Sequence, residues 1–298
     1  MYKKHYLSAA LVLSLLIAPV GAFADQDKTG YVAKPVYNQN GELVGSTRSG
    51  VTVTTIDWQL PDNYHILDMQ KSDVTGDGIH DRVYLIGHQP SDTSNYTDSI
   101  KLIIENGANQ IRTEMVLEEM GGYEASLFLG DFTGDHIADA LVTAASGGSG
   151  GWYDNKVVTF VNEASIIFSQ KDNSKISVSG QFTNGYKVEL YNEAAASPAV
   201  TMDVSERKAD YIRLGLYDKS GTLKKQTKVM FTPFGQLEPV DINNDGIYEL
   251  KGLQRISGAY NADGLATVET VLAYTGGNWQ PRSVNLHINL HLAKIGSE

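Results

Sequence analysis

The chain has 298 residues and no cysteine, and its 24 basic residues are outnumbered by 35 acidic ones. The lack of cysteine excludes disulfides and a lipid-modified cysteine. The acidic balance argues against nucleic acid or an anionic membrane surface as a partner, because both require a basic patch.

The first 24 residues have the features of a secretory signal peptide. Lys3 and Lys4 form the charged start, residues 7–20 form the apolar core, and residues 22–24 form a small-x-small cleavage site. The apolar run is short for a membrane span, and no later stretch approaches that length. We therefore expect cleavage after Ala24, a mature chain without a transmembrane segment, and a secreted or cell-envelope location.

Beyond the signal peptide, the sequence predicts an all-β protein. Residues 25–50 are polar and rich in turn residues, which indicates a loose lead-in, and residues 51–298 form the predicted domain. Alternating or short apolar runs predict strands at residues 51–60, 82–86, 100–104, 111–117, 125–129, 140–143, 156–161, 176–178, 186–191, 209–216 and 227–231. No stretch has a convincing amphipathic helical pattern, and residues 205–208 form at most a turn.

A nine-residue pattern occurs three times, in loop 1 (residues 73–81), loop 2 (residues 131–139) and loop 3 (residues 241–249). Each loop has a carboxylate at positions 1, 5 and 9, Thr or Asn at position 3, and Ile at position 7. The candidate metal ligands are Asp73, Thr75, Asp77, Ile79 and Asp81; Asp131, Thr133, Asp135, Ile137 and Asp139; and Asp241, Asn243, Asp245, Ile247 and Glu249.

This pattern fits calcium, which takes six to eight oxygen ligands in a forgiving geometry. The side chains at positions 1, 3, 5 and 9 would converge on the ion, and the carbonyl of position 7 would add another oxygen. An EF-hand is excluded because its position-12 glutamate is replaced by Tyr84, Val142 and Gly252. We expect two to three structural Ca²⁺ sites, with metal-free tight turns as the alternative.

Loop 2 is the weakest of the three candidates for calcium binding. Gly78 and Gly246 supply the permissive backbone that a tight turn needs at position 6, where loop 2 has His136. Histidine adopts a left-handed backbone more readily than most residues do. Thr75 and Thr133 also replace the usual Asp or Asn at position 3.

The spacing of the loops predicts the architecture. They begin at residues 73, 131 and 241, so the second interval is nearly twice the first, and residues 181–185 fit a degenerate copy without metal. A repeat of roughly 50–60 residues with about four strands has the size of a propeller blade. The sequence therefore predicts a β-propeller of about four to five blades with calcium-binding loops.

The loops and their flanks resemble the FG-GAP/VCBS repeats of integrin α-subunit propellers and of secreted bacterial proteins. Phe234-Gly235 precedes loop 3, and Gly258-Ala259-Tyr260 stands where a Gly-Ala-Pro element would fall. The resemblance extends over roughly residues 60–270 and is concentrated in the three loops. It implies a propeller in which each loop joins two strands of a blade and holds Ca²⁺.

Other motifs favour structural interpretations. Residues 147–151 match the nucleophile elbow of α/β-hydrolases, but a strand-like run follows them where that motif needs a helix. Trp152 and Tyr153 beside them could contribute to a binding surface. The acids Glu118, Glu119, Glu124 and Asp154 would suit glycoside chemistry only at the right separation in space.

These observations favour a non-enzymatic, exported, calcium-binding β-propeller that binds a protein or glycan at the cell envelope or outside the cell. One alternative is a calcium-dependent enzyme acting on polysaccharide. The other is a structural protein of the envelope or spore coat. Sequence alone leaves all three open, because function depends on sites rather than on fold.

Overall fold

The computed structural model describes residues 36–37, 43–45 and 60–288, apart from residues 92, 149, 162–163, 176–177 and 193–197. The predicted signal peptide and residues 51–59 lie outside the described residues. Within the predicted lead-in, β1 (Val36–Tyr37) and β2 (Leu43–Gly45) pair as an antiparallel hairpin. β2 lies beside a strand of the first large sheet.

Sheets I and II occupy the first half of the described domain, and both are antiparallel. Sheet I has the order β3-β4-β6-β7 and sheet II the order β11-β10-β9-β8-β5. Their strands are β3 (Tyr64–Ser72), β4 (Asp81–His88), β5 (Tyr96–Thr97), β6 (Ser99–Glu105), β7 (Arg112–Leu117), β8 (Gly122–Gly130), β9 (Asp139–Ala145), β10 (Tyr153–Thr159) and β11 (Ser165–Phe168).

Sheets III and IV follow in the second half. Sheet III has the order β12-β13-β14, and in sheet IV β15 and β16 both pair with β17, which continues into β18 and β19. Their strands are β12 (Val178–Thr183), β13 (Lys187–Asn192), β14 (Val200–Asp203), β15 (Met230–Phe231), β16 (Glu238–Val240), β17 (Glu249–Ser257), β18 (Gly264–Thr275) and β19 (Asn278–Ile288). The all-β prediction is confirmed.

Among the described residues, two short α-helices interrupt the strands, α1 (Gln170–Asn173) and α2 (Lys208–Arg213), and a 3₁₀ turn at Ser205–Arg207 leads into α2. The strand predicted over residues 209–216 is therefore wrong. Tyr211 explains the difference, because its ring is fully buried against Phe182 and its hydroxyl donates to Asp263 Oδ2 at 2.9 Å. Tertiary packing of one aromatic residue outweighs the local strand preference.

Three hydrophobic cores join the sheets in the spatial order I, II, IV, III. Val83 and Leu102 of sheet I pack with Val142 of sheet II. Residues of sheets II and IV share the second core, and residues of sheets III and IV share the third together with α2. Within the described residues, no helix is both long and apolar enough to cross a membrane.

Within residues 181–185, predicted as a degenerate fourth loop, the first three residues end β12 and the last two begin the tight hairpin turn to β13, in which Thr183 faces Lys187. The tip of this hairpin contacts the turn around Gly221, where Gly185 N–H donates to the Gly221 carbonyl at 2.8 Å. This hairpin is therefore unlike the three nine-residue loops in its backbone and its neighbours.

Candidate cation-binding loops

The three loops occupy equivalent places in three sheets. Loop 1 joins β3 to β4, loop 2 joins β8 to β9, and loop 3 joins β16 to β17. In each loop, position 1 follows the end of one strand and position 9 is the first residue of the next. The sheet ladders therefore place the two outer carboxylates of each loop side by side.

The carboxylates organise each loop by accepting backbone N–H groups. In loop 1, the two oxygens of Asp73 accept from Gly76 at 2.7 Å and Gly78 at 2.8 Å. Asp77 accepts from Ile79, and Asp81 Oδ2 accepts from Val74, both at 2.9 Å.

Loops 2 and 3 repeat this network. Position 1 accepts from positions 4 and 6 in loop 2 and from positions 5 and 6 in loop 3. In both loops, position 5 accepts from position 7 and position 9 accepts from position 2. Hydrogen bonding to backbone donors is therefore one reason for the spacing of the carboxylates.

Positions 4 and 6 have left-handed backbones in all three loops. Position 6 is Gly78, His136 or Gly246, with φ of 82°, 66° and 85°. His136 thus adopts the conformation expected for it. Its side chain is 86% exposed, and Nδ1 lies 4.0 Å from Asp131 Oδ2.

The loops also lie next to one another in a row. The carbonyl of Asp73 in loop 1 accepts from Ala138 N–H of loop 2 at 3.0 Å, and the carbonyl of Asp131 accepts from Tyr248 N–H of loop 3 at 2.7 Å. Ile137 of loop 2 packs directly on Gly76 of loop 1. The recurring isoleucine therefore contacts the neighbouring loop.

Loop 1 is closed by a side chain from outside it. The Asn106 amide, just after β6, donates to Thr75 Oγ1 at 3.0 Å and to Asp77 Oδ2 at 2.9 Å. Asn106 is also the main cause of the lowered pKa of Asp77. Asp81 Oδ1 accepts from Gly107 N–H at 2.9 Å, so positions 3, 5 and 9 all have partners.

Loop 3 is closed by an arginine. The Arg282 guanidinium forms an ion pair with Glu249, whose side chain is only 5% exposed. The pKa of Asp245 is lowered chiefly by the Ile247 N–H, then by the Asn243 amide, and in part by Arg282. Arg282 thus supplies positive charge to this loop.

Loop 2 has no such closing group among the described residues. Within the described part of the chain, Thr133 Oγ1 and Asp139 Oδ1 are buried and have no hydrogen bond of normal geometry. Asp139 is fully buried, so bulk water cannot take the place of the missing partner. Burial raises the pKa of the Asp139 carboxyl to about 6; the Phe132 N–H and Thr159 hydroxyl oppose this increase, and Asp135 and Asp131 add to it. Buried polar atoms without partners are uncommon and call for an explanation.

As placed, no three His, Cys, Asp or Glu side chains in the described part of the chain are gathered closely enough to hold a metal ion. Calcium binding therefore stays a prediction for all three loops. Loop 2 fits a cation best, because Thr133 and Asp139 offer unpaired oxygens and Asp131 and Asp135 lie near enough to add negative charge. A carboxylate oxygen that accepts one N–H retains a further lone pair for a cation.

Sequence reasoning missed Asn106 and Arg282. In the chain, both residues lie far from the loops that they contact: Asn106 is 25 residues after Asp81, and Arg282 is 33 residues after Glu249. Neither belongs to a repeated pattern. Only pairing of β4 with β6, and of β17 with β18 and β19, brings them to the loops. Local sequence contains no signal that could identify them.

The remaining candidates are scattered. Asp154 is largely buried 3.8 Å from Lys156, and its pKa is raised mainly by burial. Trp152 is exposed beside the glycine-rich turn, whose Ser149 lies outside the described residues. His287 lies on β19, with its Nε2 3.9 Å from Glu269.

The chain was compared with known proteins. A family model described as the YybI C-terminal domain matches residues 176–287, which include loop 3 and sheet IV. A Bacillus subtilis (strain 168) protein described as uncharacterized protein YybI is 35% identical over 213 residues. The matched region covers 71% of this chain and 80% of that relative. No solved structure matches.

These matches overturn the resemblance to FG-GAP/VCBS repeats, which is wrong. The family model that matches describes a different domain, and it covers loop 3, Phe234-Gly235 and residues 258–260, although not loops 1 and 2. Phe234 is a buried core residue whose N–H donates to the Asn173 carbonyl, and Gly258 and Ala259 donate their N–H groups to Asp263. These contacts explain the Phe-Gly and Gly-Ala elements as local packing.

Proposed function

Since the chain belongs to the YybI family, whose Bacillus subtilis member is described only as uncharacterized, its function must be argued from its own residues. We propose that it is an exported, calcium-stabilised β-propeller that acts as a non-enzymatic interaction module at the cell envelope or outside the cell. Export is supported by the features of residues 1–24, which are those of a signal peptide. The partner would be a protein or a glycan.

The contacts among loops 1, 2 and 3 support the propeller, while the spatial order of the sheets, I, II, IV, III, differs from a ring of blades in chain order. In sheets I, II and IV, a nine-residue loop joins two neighbouring strands, and these loops contact each other through the same pair of positions. The same hydrogen bond therefore recurs between neighbouring loops, as expected when the sheets that carry them are related by rotation about a common axis. Small sheets around an axis also leave few open edges.

The unpaired oxygens of loop 2 are the observation that carries the calcium proposal. Asn106 supplies donors to loop 1 and Arg282 supplies a cation to loop 3. In loop 2, by contrast, Thr133 Oγ1 and Asp139 Oδ1 have no hydrogen bond of normal geometry to any described residue. A bound Ca²⁺ would neutralise the loop 2 carboxylates and hold the connection between β8 and β9. Loop 2 is accordingly the first site to test, and loops 1 and 3 are the internal comparisons.

The test uses three matched variants at position 5, where Asp77, Asp135 and Asp245 are all exposed. Thermal unfolding of the purified protein is measured in excess calcium and in chelator. Calcium at a hundredfold over its dissociation constant adds about 2.7 kcal/mol per site, or a Tm rise of roughly 5–10 °C for a domain of this size. The rise should disappear in Asp135→Asn and persist in Asp77→Asn and Asp245→Asn.

Each contrary result has a clear meaning. A smaller rise in all three variants would mean that every loop binds calcium. An unchanged Tm in the unsubstituted protein, with no calcium retained after desalting, would contradict the calcium proposal. The loops would then be turns held by their carboxylate–amide hydrogen bonds alone.

A further inference from the structure

A cavity of about 370 Å³ lies where sheet I meets the outer part of sheet II. Residues from β3, from the 89–97 connection and from β8 line it: Leu67, Gln89, Asn95, Thr97, Tyr123 and Glu124. The neighbouring side chains bind the two sheets together, since Asp68 Oδ2 accepts from Leu127 N–H at 3.0 Å. The cavity is thus built on a fixed junction, which suits a binding site.

Tyr123 lines the cavity, and a second exposed tyrosine, Tyr96, lies beside it. Tyr96 and Tyr123 are directly opposite each other on β5 and β8, and their rings meet edge to face with centroids 5.2 Å apart. Each is more than one third exposed, although β5 is a strand of only two residues. The short strand therefore holds a pair of aromatic rings at the surface.

The backbone beside the tyrosines is distorted. The β8–β9 register shifts between Tyr123 and Ser126, and Glu124 within that bulge has φ of 50°. A left-handed glutamate costs about 1–3 kcal/mol, and such residues concentrate at functional sites. Bulges re-aim side chains, and here Glu124 joins the lining of the cavity.

We propose that this cavity binds a neutral saccharide. Tyr123 offers an aromatic face for the C–H face of a sugar ring, and Gln89, Asn95 and Glu124 offer the planar donors and acceptors that sugar hydroxyls require. This inference rests on the proposed interaction function and names its ligand class.

The charges of the lining decide between saccharide binding and other chemistry. Glu124 is the one acidic residue of the described lining, which contains no lysine, arginine or histidine. An anionic ligand would lack a cationic partner there. Glycoside hydrolysis mostly uses a pair of carboxylates, so the lining favours binding over catalysis.

Calorimetric titration of the purified protein in excess calcium tests the proposal, with chitohexaose, cellohexaose and maltohexaose as probes. At least one should bind, and Tyr123→Ala should weaken that binding at least tenfold. Tyr123→Phe should retain it, because the ring face remains. Tyr260→Ala is the matched control, since Tyr260 is similarly exposed but outside the cavity lining.

Three results would overturn the proposal. The first is that none of the three hexasaccharides binds, and the second is that Tyr123→Ala binds as tightly as the unsubstituted protein. The third is that the protein binds tetramethylammonium in preference to the saccharides. The last would identify an aromatic cage for a cation, and Glu124→Gln would then abolish binding. Asp135→Asn should keep saccharide affinity while losing the calcium response, so the two proposals fail separately.

Discussion

At the scale of single residues, Asp139 differs most from its counterparts in the other loops. All three position-9 acids accept the N–H of position 2, but Asp81 has Gly107 and Glu249 has Arg282 as a second partner. Among the described residues, the second oxygen of Asp139 has no hydrogen bond of normal geometry, although the Thr159 hydroxyl acts on this carboxyl group and lowers its pKa in part. One missing donor therefore distinguishes loop 2 from the loops around it.

Asp139→Asn should have opposite effects in chelator and in calcium. The folded-state pKa of about 6 exceeds the usual value of 3.8, so without metal this carboxylate lowers stability as pH rises through that interval. At pH 7 the buried charge lowers the free energy of unfolding by about 1–3 kcal/mol, and the neutral amide of the asparagine variant removes this destabilisation. In chelator the variant should be as stable as the unsubstituted protein or more stable.

In calcium the same variant should be the less stable of the two, because a charged ligand is lost. Urea unfolding at pH 7 in both conditions measures this reversal. Equal destabilisation in calcium and in chelator would contradict it, and would show that Asp139 acts only by hydrogen bonding.

At the scale of elements, helix α2 is held by a buried acid in the turn between β17 and β18. Asp263 forms an ion pair with Arg207, accepts from the Tyr211 hydroxyl at 2.9 Å, and accepts from Ala259 N–H at 2.8 Å. The Tyr211 pKa is raised, first by burial and then by this carboxylate. One side chain thus joins the helix to sheet IV.

Asp263→Ala should therefore destabilise the protein by about 3 kcal/mol, because a buried tyrosine hydroxyl and an arginine lose their partner. Asp210→Ala is the control within the same helix. Its ion pair with Arg213 is exposed on both sides, so its loss should cost less than about 0.5 kcal/mol. Similar losses in the two variants, measured by urea unfolding, would contradict this role for Asp263.

At the scale of the whole molecule, sheets II and IV are joined by buried amides as well as by a core. The Asn155 amide donates to Asn173 Oδ1 at 2.8 Å and to the Gly235 carbonyl at 3.0 Å, and Asn155 Oδ1 accepts from Leu237 N–H at 3.2 Å. Trp279 Nε1 donates to the Ile167 carbonyl at 2.7 Å. The segment matched by the family model therefore shares its interior with the preceding sheet.

Asn155→Ala should lower the free energy of unfolding by about 3 kcal/mol, since several buried groups on both sheets would lose their partners. For a domain of this size, the Tm should fall by roughly 6–12 °C. Asn285→Ala on exposed β19 should change the Tm by little. A small effect of Asn155→Ala would show that the shared apolar core alone joins the two sheets.

Much of the fold could be predicted from the chain, because its determinants are local. Alternation of apolar residues predicts the strands, and the spacing of Asp and Gly predicts the nine-residue loops and their left-handed turns. The prediction fails at α2 and at residues 181–185, where Tyr211 packing and a tight hairpin decide the conformation. The family resemblance failed because short acidic turns are shared by unrelated proteins.

By itself, the sequence determined the all-β class, the three loops and the left-handed position of His136, since each depends on residues within one short segment. Only the tertiary structure decided which loop lacks an internal partner. Asn106 and Arg282 reach loops 1 and 3 through strand pairing. From outside loop 2, the described residues supply Asp139 only with the Thr159 hydroxyl, which lowers the pKa of this carboxyl group without a hydrogen bond of normal geometry to Oδ1. Which donors or cations reach the carboxylates of a loop depends on distances in space, which the spacing along the chain does not specify.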